Sequence, residues 1–299
     1  GYKIEGGRAV LTDFFAAVFN PSTLPRFFHT VDGAYITGAF LVMGISAYFL
    51  LRNKNIEIGR RSLRIALIFA VIAVFGQFLL GHTHAVQVAH TQPAKLATFE
   101  GIWDSEPHAP INIIGFPDED KETTHLSLEI PGLLSWMVHN DLNATVTGLK
   151  AFAPDERPPI QATYWSYRFM ILAAGLLAGL VLWGAYLLAR GRLYNNRLFL
   201  SAALYFMLLP VLINEAGWMA AEFGRQPWIV YGLLQTNAAA SPLAAYQILL
   251  TIALFVLVYS VLLAAVYYLL KREVKKVMGE DIRGPETVPA SLNPPSLGE

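Results

Sequence analysis

Five long, mostly apolar stretches constrain the fold of this chain more than any other feature. A helix needs about 20 predominantly apolar residues to cross the hydrocarbon core of a membrane. Because lipid offers the backbone no hydrogen-bonding partners, such stretches must be helices that satisfy their own amides. The sequence therefore predicts an all-α integral membrane protein, a bundle of about five transmembrane helices. We label them A to E, and they run over residues 27–51, 62–80, 165–189, 198–222 and 243–270.

The composition fits a membrane chain and excludes several classes of function. Charged residues make up 15% of the 299 residues, against about 25% in an average soluble domain. The 22 basic and 22 acidic residues cancel, so the charge gives no indication of a nucleic-acid partner. The chain has no cysteine, which excludes disulfides, thiolate-bound haem and iron–sulfur clusters held by this chain alone.

The charges of the connecting loops predict the topology. Arginine and lysine collect in the A–B loop, in the C–D loop and directly after helix E, and cytoplasmic loops carry such an excess. The loop between helices B and C, residues 81–160, has four basic residues against eleven acidic ones. We therefore expect this loop and the D–E loop to lie on the outer side of the membrane, and the A–B and C–D loops on the cytoplasmic side.

This topology divides the chain into four predicted regions. Residues 1–80 hold a short interfacial helix, over Ala9–Phe19, and helices A and B. Residues 81–160 form an extracytoplasmic loop, and its apolar runs and tryptophans predict a folded cap rather than a mere connection. Residues 161–272 hold helices C, D and E. Residues 273–299 are rich in Pro, Ser and Gly, and this composition predicts a disordered cytoplasmic tail.

Polar side chains within the spans are candidate functional residues, because burying them in lipid is costly. His29 lies near the outer end of helix A, Met170 near that of helix C and Glu222 near that of helix D, so the topology predicts similar depths. His29 is the only histidine within a predicted span. A haem held in the membrane by this chain alone could therefore have a His/Met but not a bis-histidine ligand pair. Hydrogen bonding at a helix end and ordinary core packing remain the structural alternatives for His29 and Met170.

Three further patterns carry predictions. Arg168 lies about 200° around helix C from Met170, so it should reach the interface or pair with an anion such as a propionate or another cofactor. Glu215, Trp218 and Glu222 have the spacing i, i+3, i+7 and share one face of helix D. That face suits a polar network between helices, metal or haem ligation, or proton transfer. His82, His84 and His90 have no Asp, Glu or Cys to complete a recognisable metal set and predict a solvated turn.

Four motifs occur in order along the chain. They are Phe28-His29-Thr30-Val31, the segment 91–100 (TQPAKLATFE), the segment 165–170 and, most specific, Gly224-Arg225-Gln226-Pro227-Trp228. Together they resemble subunit I of cytochrome bd-type quinol oxidases, over Thr12 to Lys271. The resemblance implies helices 5–9 of that subunit with a short quinol loop, in a bacterial or archaeal plasma membrane that the chain crosses several times. It also implies that about four N-terminal helices of the family are absent from this sequence.

The resemblance implies haem ligands position by position. His29 and Met170 match the axial ligands of a low-spin haem b, and Arg168 matches an arginine near that haem. Glu222 matches the carboxylate ligand of a high-spin haem b, in a site that also holds haem d. Trp218 matches a tryptophan near these high-spin haems.

The resemblance also implies a quinol site in the loop. Lys95 and Glu100 match residues tied to quinol oxidation, with Glu100 as a candidate base and Lys95 as a group that steadies the oxyanion. On a regular helix they would lie about 140° apart, so both can contact quinol only if this segment is irregular. Arg225 belongs to the most specific motif and is a candidate cofactor-binding residue. A purely structural ion pair between Arg225 and Glu222 is the alternative.

The implied activity is oxidation of quinol at the outer face and reduction of oxygen to water, which generates a proton motive force without pumping. The implied partners are subunit II, the absent N-terminal helices, small accessory subunits, quinol, oxygen and membrane lipid. Two other classes remain open: a proton or ion transporter that uses Glu215, Glu222 and Arg168, and a haem-b membrane anchor of a dehydrogenase. A visible spectrum separates them, because a transporter has no haem bands and an anchor has no chlorin band.

Overall fold

A computed structural model describes residues 1–6 and 8–280 of the chain, and it is mostly helical. Five helices are long and apolar enough to cross a membrane, which confirms the predicted fold class. The strands and α-helices in chain order are β1 (Tyr2–Glu5), β2 (Arg8–Leu11), α1 (Phe14–Val18), α2 (Thr23–Leu51), α3 (Ile56–Thr91), α4 (Pro93–Glu100), β3 (Ile111–Asp118), β4 (Thr123–Ile130), α5 (Leu133–His139), α6 (Ile160–Ala189), α7 (Arg197–Tyr205), α8 (Leu209–Gly224), β5 (Trp228–Val230), β6 (Leu234–Gln235) and α9 (Ala245–Glu280).

The N-terminal segment differs from the predicted interfacial helix. Strands β1 and β2 form an antiparallel hairpin, and only the short α1 is helical. The physical reason is the cap: the Asp13 side chain accepts a hydrogen bond from the Ala16 amide at 3.0 Å. An N-capping aspartate starts a helix after itself, so the residues before it are free to pair as strands.

Helix α3 is much longer than predicted helix B, at 36 residues. At about 1.5 Å per residue it is far longer than the ~30 Å hydrocarbon core, so one end extends beyond the membrane. The hydropathy falls after Leu80, but the helix continues through the histidines until Gln92 and Pro93. Packing of Val88 in the core of the cap supports this polar extension.

The last two predicted spans also differ in detail. Predicted helix D is α7 and α8, separated by a 3-10 turn over Phe206–Leu208; Pro210 follows this turn, and it lacks the amide that a continuous helix needs. Helix α9 continues to Glu280, so the first eight residues of the predicted tail are helical, and residues 281–299 lie outside the described residues. The most apolar window of α9 has 0% of its residues buried.

Close approach at small residues holds the spans together, as expected in lipid, where there is little hydrophobic driving force between helices. A side chain added to Gly44 of α2 would come within 2.6 Å of Met207, and one added to Gly184 of α6 within 2.8 Å of both Leu67 and Phe199. These contacts join α2, α3, α6 and α7 around one apolar core, whose largest fully buried members include Phe40 and Met43.

The segment between α3 and α6 is a folded cap that contains α4, the β3–β4 hairpin and α5. Its apolar core includes Leu96, Phe99 and Leu134 together with Val88 of α3 and Ala220 of α8. The cap therefore packs directly on the ends of two long helices. Its position brings the TQPAKLATFE segment next to the polar residues of the spans.

Candidate functional site

His29 lies on α2 with its ring beside α3, and one ring nitrogen has no hydrogen-bond partner among the described residues. Gln77 of α3 donates to the His29 carbonyl at 3.1 Å, and its amide nitrogen lies 3.4 Å from Nε2 of the ring. The other ring nitrogen, Nδ1, is buried without a hydrogen-bond partner in the described part of the chain. Gly81 lies beside the ring, since a Cβ there would be 3.5 Å from Cε1.

His82, His84 and His90 lie on α3 and do not form the predicted turn. The ring of His84 lies 5.4 Å from the ring of His29, centroid to centroid, and His90 lies 6.0 Å from His139. The length of α3 explains the difference, because the helix continues past Leu80 and places His84 beside His29 of α2. His29 is therefore not the only histidine on a membrane helix.

Met170 lies on the side of α6 that packs on α8. A Cβ on Gly217 would be 2.9 Å from the Met170 sulfur, closer than atoms of this kind approach. A side chain at position 217 would therefore force the Met170 thioether out of this position. Sequence reasoning did not single out Gly217, although this residue directly precedes Trp218.

The depths of His29 and Met170 can be compared through α8, which contacts both neighbouring helices. Asn214 of α8 donates to the Gly33 carbonyl of α2 at 3.3 Å, so these two residues share a level. His29 precedes Gly33 by four residues, which is about 6 Å along α2, and Gly217 follows Asn214 by three residues, about 4.5 Å along α8. The two helices run antiparallel, because Met207, just before α8, meets Gly44 farther along α2. His29 and the sulfur of Met170 therefore lie at similar depths.

Glu222 lies farther along α8, near its C-terminal end. It follows Gly217 by five residues, which is about 7.5 Å, so Glu222 is not at the depth of Met170. Its Oε2 accepts from Arg225 Nε at 2.7 Å, and Arg225 also donates to the Trp228 carbonyl at 3.1 Å. The ion pair considered from the sequence is thus formed, and the Glu222 side chain is 42% exposed.

The face of α8 that carries Glu215, Trp218 and Glu222 is open in the described part of the chain. Trp218 is 63% exposed, Glu215 is also exposed, and Glu222 is half-buried. The neighbouring face, with Ala216 and Ala220, is buried. Glu222 on this face is paired with Arg225, whereas the Glu215 carboxyl has no ion pair among the described residues and needs a polar partner from outside them.

Lys95 is buried on α4 and reaches the end of α8. Its Nζ donates to the Ala221 carbonyl at 3.0 Å, and its side chain lies over Gly224, where a Cβ would be 2.9 Å from Cε. Only 4% of the residue is exposed. The glycine of the most specific motif therefore makes room for the lysine of the quinol-loop motif.

The charges around Lys95 are mixed. Burial, and then the nearby Arg26, lower the pKa of Lys95 to about 8, Glu222 opposes this shift and Arg225 adds to it. Arg26, at the start of α2, was not singled out from the sequence, because a basic residue at the end of a span is ordinary. Its electrostatic effect on Lys95 acts between residues 69 positions apart in the sequence, so the sequence alone does not indicate it.

Glu100, at the other end of α4, is bound to α6. Its Oε2 accepts from Arg168 Nη2 at 2.6 Å, and the two side chains are 4% and 3% exposed. The same oxygen accepts from the Asn112 amide at 3.2 Å, and Arg168 Nη2 also donates to the Phe99 carbonyl at 2.7 Å. The rings of Phe99 and Tyr167 stack beside this pair at 4.2 Å.

Helix α4 is regular, and the spacing argument applies to it directly. Lys95 bonds to α8 and Glu100 bonds to α6, so one ligand cannot occupy both positions as they stand. The sequence suggested a cofactor or an interfacial position for Arg168, whereas the structure pairs it with Glu100. Its Nε remains buried without a partner among the described residues.

The residues fit a haem in part. The unpartnered Nδ1 shows that the His29 ring is not used up by hydrogen bonds, and a thioether at a similar depth is a suitable second axial ligand. The unpartnered Arg168 Nε is a donor available for an acidic group. Among the described residues, no set of three or more His, Cys, Asp or Glu side chains could hold a free metal ion.

Comparison with known proteins identifies the family. The sequence model described as cytochrome bd terminal oxidase subunit I matches residues 1–278. The chain belongs to this family. The resemblance read from the four motifs is thereby confirmed, and it extends over more of the chain than the motifs span.

Similar proteins in this family include two curated subunits and one solved structure. The chain is 33% identical to cytochrome bd ubiquinol oxidase subunit 1 of Bacillus subtilis over 305 residues. The matched region covers 98% of the chain and 65% of that protein. It is 30% identical to cytochrome bd-II ubiquinol oxidase subunit 1 of Escherichia coli, with 91% and 66% covered. The structure of bd oxidase from Geobacillus thermodenitrificans matches with a TM-score of 0.83 at 30% identity, over 92% of the chain and 63% of the solved chain. The chain thus spans about two thirds of the length of these relatives.

Proposed function

We propose that this chain is the haem-binding and quinol-binding part of a bd-type terminal oxidase. The oxidase would take electrons from quinol at the outer membrane face and use them to reduce oxygen to water, generating a proton motive force without pumping. The chain would act in a complex with subunit II, with further helices of subunit I and with small accessory subunits. The family membership and the names of the relatives support this proposal.

The observation that carries the proposal is the position of α4. This helix holds the quinol-loop motif, and side chains near its two ends bind the two helices that carry predicted haem residues. Lys95 binds the end of α8, next to Glu222, while Glu100 binds Arg168, two residues before Met170. A quinol held at α4 would therefore lie close to the groups proposed to accept its electrons.

The proposed haem residues follow from this arrangement. His29 and Met170 would hold a low-spin haem b, and Arg168 Nε would donate to an acidic substituent of that haem. Glu222 would hold a high-spin haem b beside Trp218, with Arg225 balancing its charge. Together with haem d, these groups supply electron transfer and oxygen reduction when bound.

The chain's own residues supply binding and charge at the quinol site. Lys95 would orient a quinol oxygen by hydrogen bonding and stabilise the negative charge that forms on deprotonation. A pKa of about 8 keeps Lys95 mostly protonated at neutral pH and lets it lose its proton in mildly alkaline solution. Glu100 already accepts from Arg168 and from a backbone amide, so it would fix α4 in place and not act as the proton acceptor.

The test uses the purified oxidase complex with Lys95→Met and Lys95→Arg, and Lys150→Met as the control. Lys150 is a cap lysine whose partly exposed side chain pairs with Asp104 at 2.9 Å and makes no hydrogen bond to α4. We expect Lys95→Met to lower quinol-dependent oxygen consumption by about 10- to 100-fold, equivalent to the loss of one charged hydrogen bond. All haem bands should remain, and Lys150→Met should match the wild type.

The pH dependence gives a second readout of the same proposal. If the Lys95 cation is required, the wild-type rate should fall above about pH 8, and Lys95→Arg should move this fall to higher pH because arginine stays charged. Wild-type rates in Lys95→Met, or an unchanged profile in Lys95→Arg, would remove Lys95 from the quinol site. A complex without haem bands would overturn the oxidase proposal itself.

A further inference from the structure

The opposite end of the bundle carries a basic groove that the oxidase proposal does not use. It lies between the start of α3 and the turn that connects α6 to α7, and its volume is about 450 Å³. Its lining combines one acid, one tyrosine, one isoleucine and three arginines: Ile56, Glu57, Arg60, Arg61, Arg64 and Tyr194. All six lie in the described part of the chain.

The packing of α3 on α2 explains why the arginines face outward. Gly59 is buried, and a Cβ on it would lie 3.2 Å from Leu50 and 3.3 Å from the Ser46 carbonyl of α2. With this residue against α2, Arg60 and Arg64 are exposed. The Arg60 guanidinium lies 5.5 Å from the centre of the Tyr194 ring, which forms the opposite wall of the groove.

The charge of the groove is positive. Glu57 is the one acid among its lining residues, and it is paired with Arg61. No ion pair of Arg60 or Arg64 is formed with another described residue, so two arginines of the groove carry charge that the described chain does not neutralise. An anion would complete them, and guanidinium groups bind phosphate oxygens especially well.

An apolar surface continues directly from this charge along α3. Ile68, Ile72 and Phe75 follow Arg64 at spacings of four, four and three residues, so they share its side of the helix. They are 46%, 67% and 42% exposed. A ligand that fits this side has an anionic head at the groove and apolar chains along the helix.

We propose that the groove of Arg60, Arg64 and Tyr194 binds the phosphate of an anionic phospholipid, whose acyl chains lie along Ile68, Ile72 and Phe75. Basic pockets between membrane helices bind such headgroups. A soluble phosphate would use the arginines but not the apolar side of α3. The proposal does not depend on quinol or oxygen chemistry.

The test measures binding of phosphatidylglycerol to the delipidated oxidase complex in detergent by native mass spectrometry, with phosphatidylcholine as the zwitterionic reference lipid. The variant is the double substitution Arg60→Gln, Arg64→Gln. The control is Arg52→Gln, which removes an arginine near the same end of the bundle, where it lies 5.6 Å from the Tyr48 ring. Haem spectra of each protein verify that the complex is intact.

We expect the wild type to retain phosphatidylglycerol over phosphatidylcholine and the double variant to bind it about 30-fold more weakly, since each arginine near a headgroup contributes roughly fivefold. The control should bind like the wild type. Equal retention of both lipids, wild-type binding in the double variant, or an equal loss in the control would each overturn the proposal. Displacement of the lipid by inorganic phosphate alone would assign the groove to a free anion, and the absence of lipid binding by the wild type would also overturn the proposal.

Discussion

The buried ion pair between Glu100 and Arg168 allows one consequence of the structure to be worked out in magnitude. The perturbation is Glu100→Gln, which keeps the size of the side chain and one acceptor but removes the negative charge. Among the described residues, Arg168 would then be a buried cation with neutral partners, namely the remaining amide oxygen at position 100, the Phe99 carbonyl and the faces of Tyr164 and Tyr167. Removing one partner of a buried pair costs about 3–5 kcal/mol.

The control for this change is a pair of similar length in a more exposed place. Arg157 and Glu122 also meet at 2.6 Å, but their side chains are 12% and 37% exposed. Water screens such a pair, and exposed pairs contribute about 0–1 kcal/mol. Glu122→Gln should therefore cost less than a third of what Glu100→Gln costs, although both substitutions remove the same charge from the cap.

The assay is thermal unfolding of the purified complex, followed by haem absorbance and by tryptophan fluorescence. At about 2 °C per kcal/mol for a large chain, Glu100→Gln should lower the Tm by at least ~6 °C, and Glu122→Gln by no more than ~2 °C. The double variant Glu100→Gln, Arg168→Met removes both charges and should be more stable than Glu100→Gln alone. Equal effects of Glu100→Gln and Glu122→Gln would refute the assignment of a buried, tightly coupled pair.

Two further predictions concern the proposed haem ligands. Gly217→Ala places a methyl group 2.9 Å from the Met170 sulfur and should alter the low-spin haem spectrum as Met170→Leu does. The control is Gly175→Ala on α6, where a Cβ meets nothing within 4 Å, and it should leave the spectrum unchanged. An unaltered low-spin band in Met170→Leu would reject Met170 as a haem ligand. Glu222→Gln removes the anion that faces Arg225. It should change the high-spin haem bands and lower oxygen consumption at least tenfold, while quinol still reduces the low-spin haem. Normal high-spin bands together with normal oxygen consumption would leave a structural ion pair as the role of Glu222.

The membrane helices could be predicted because length and hydropathy determine them almost alone. Where the structure departs from the prediction, another interaction decides. Helix α3 continues past Leu80 because the cap buries Val88, and α1 begins after Asp13 because that residue caps it. Hydropathy contains neither effect, since one depends on a distant segment and the other on a hydrogen bond to the backbone.

The candidate site was predictable in its residue types but not in its pairings. His29, Met170 and Glu222 stand out because polar or ligating side chains in a membrane span need a reason. The helical spacing of Lys95 and Glu100 also indicated that one regular helix would direct them apart, and they bind different helices. Which helices these are could not be predicted, because 68 residues separate Glu100 from Arg168 and sequence spacing sets no contact over that distance.

The two ends of α4 illustrate why the cap uses charges where apolar contacts could hold it. A buried ion pair is seldom more stable than well-packed apolar residues of the same size, so stability alone does not account for Glu100 and Arg168. The pair leaves Arg168 Nε without a partner among residues 1–6 and 8–280, whereas an apolar pair would leave no donor at all. Lys95 likewise keeps an ionisable group at the end of α8, where a methionine would pack without the cost of burial. At both ends the chain keeps a hydrogen-bond donor beside a proposed cofactor residue, which is the requirement of a site that binds anionic groups and handles protons.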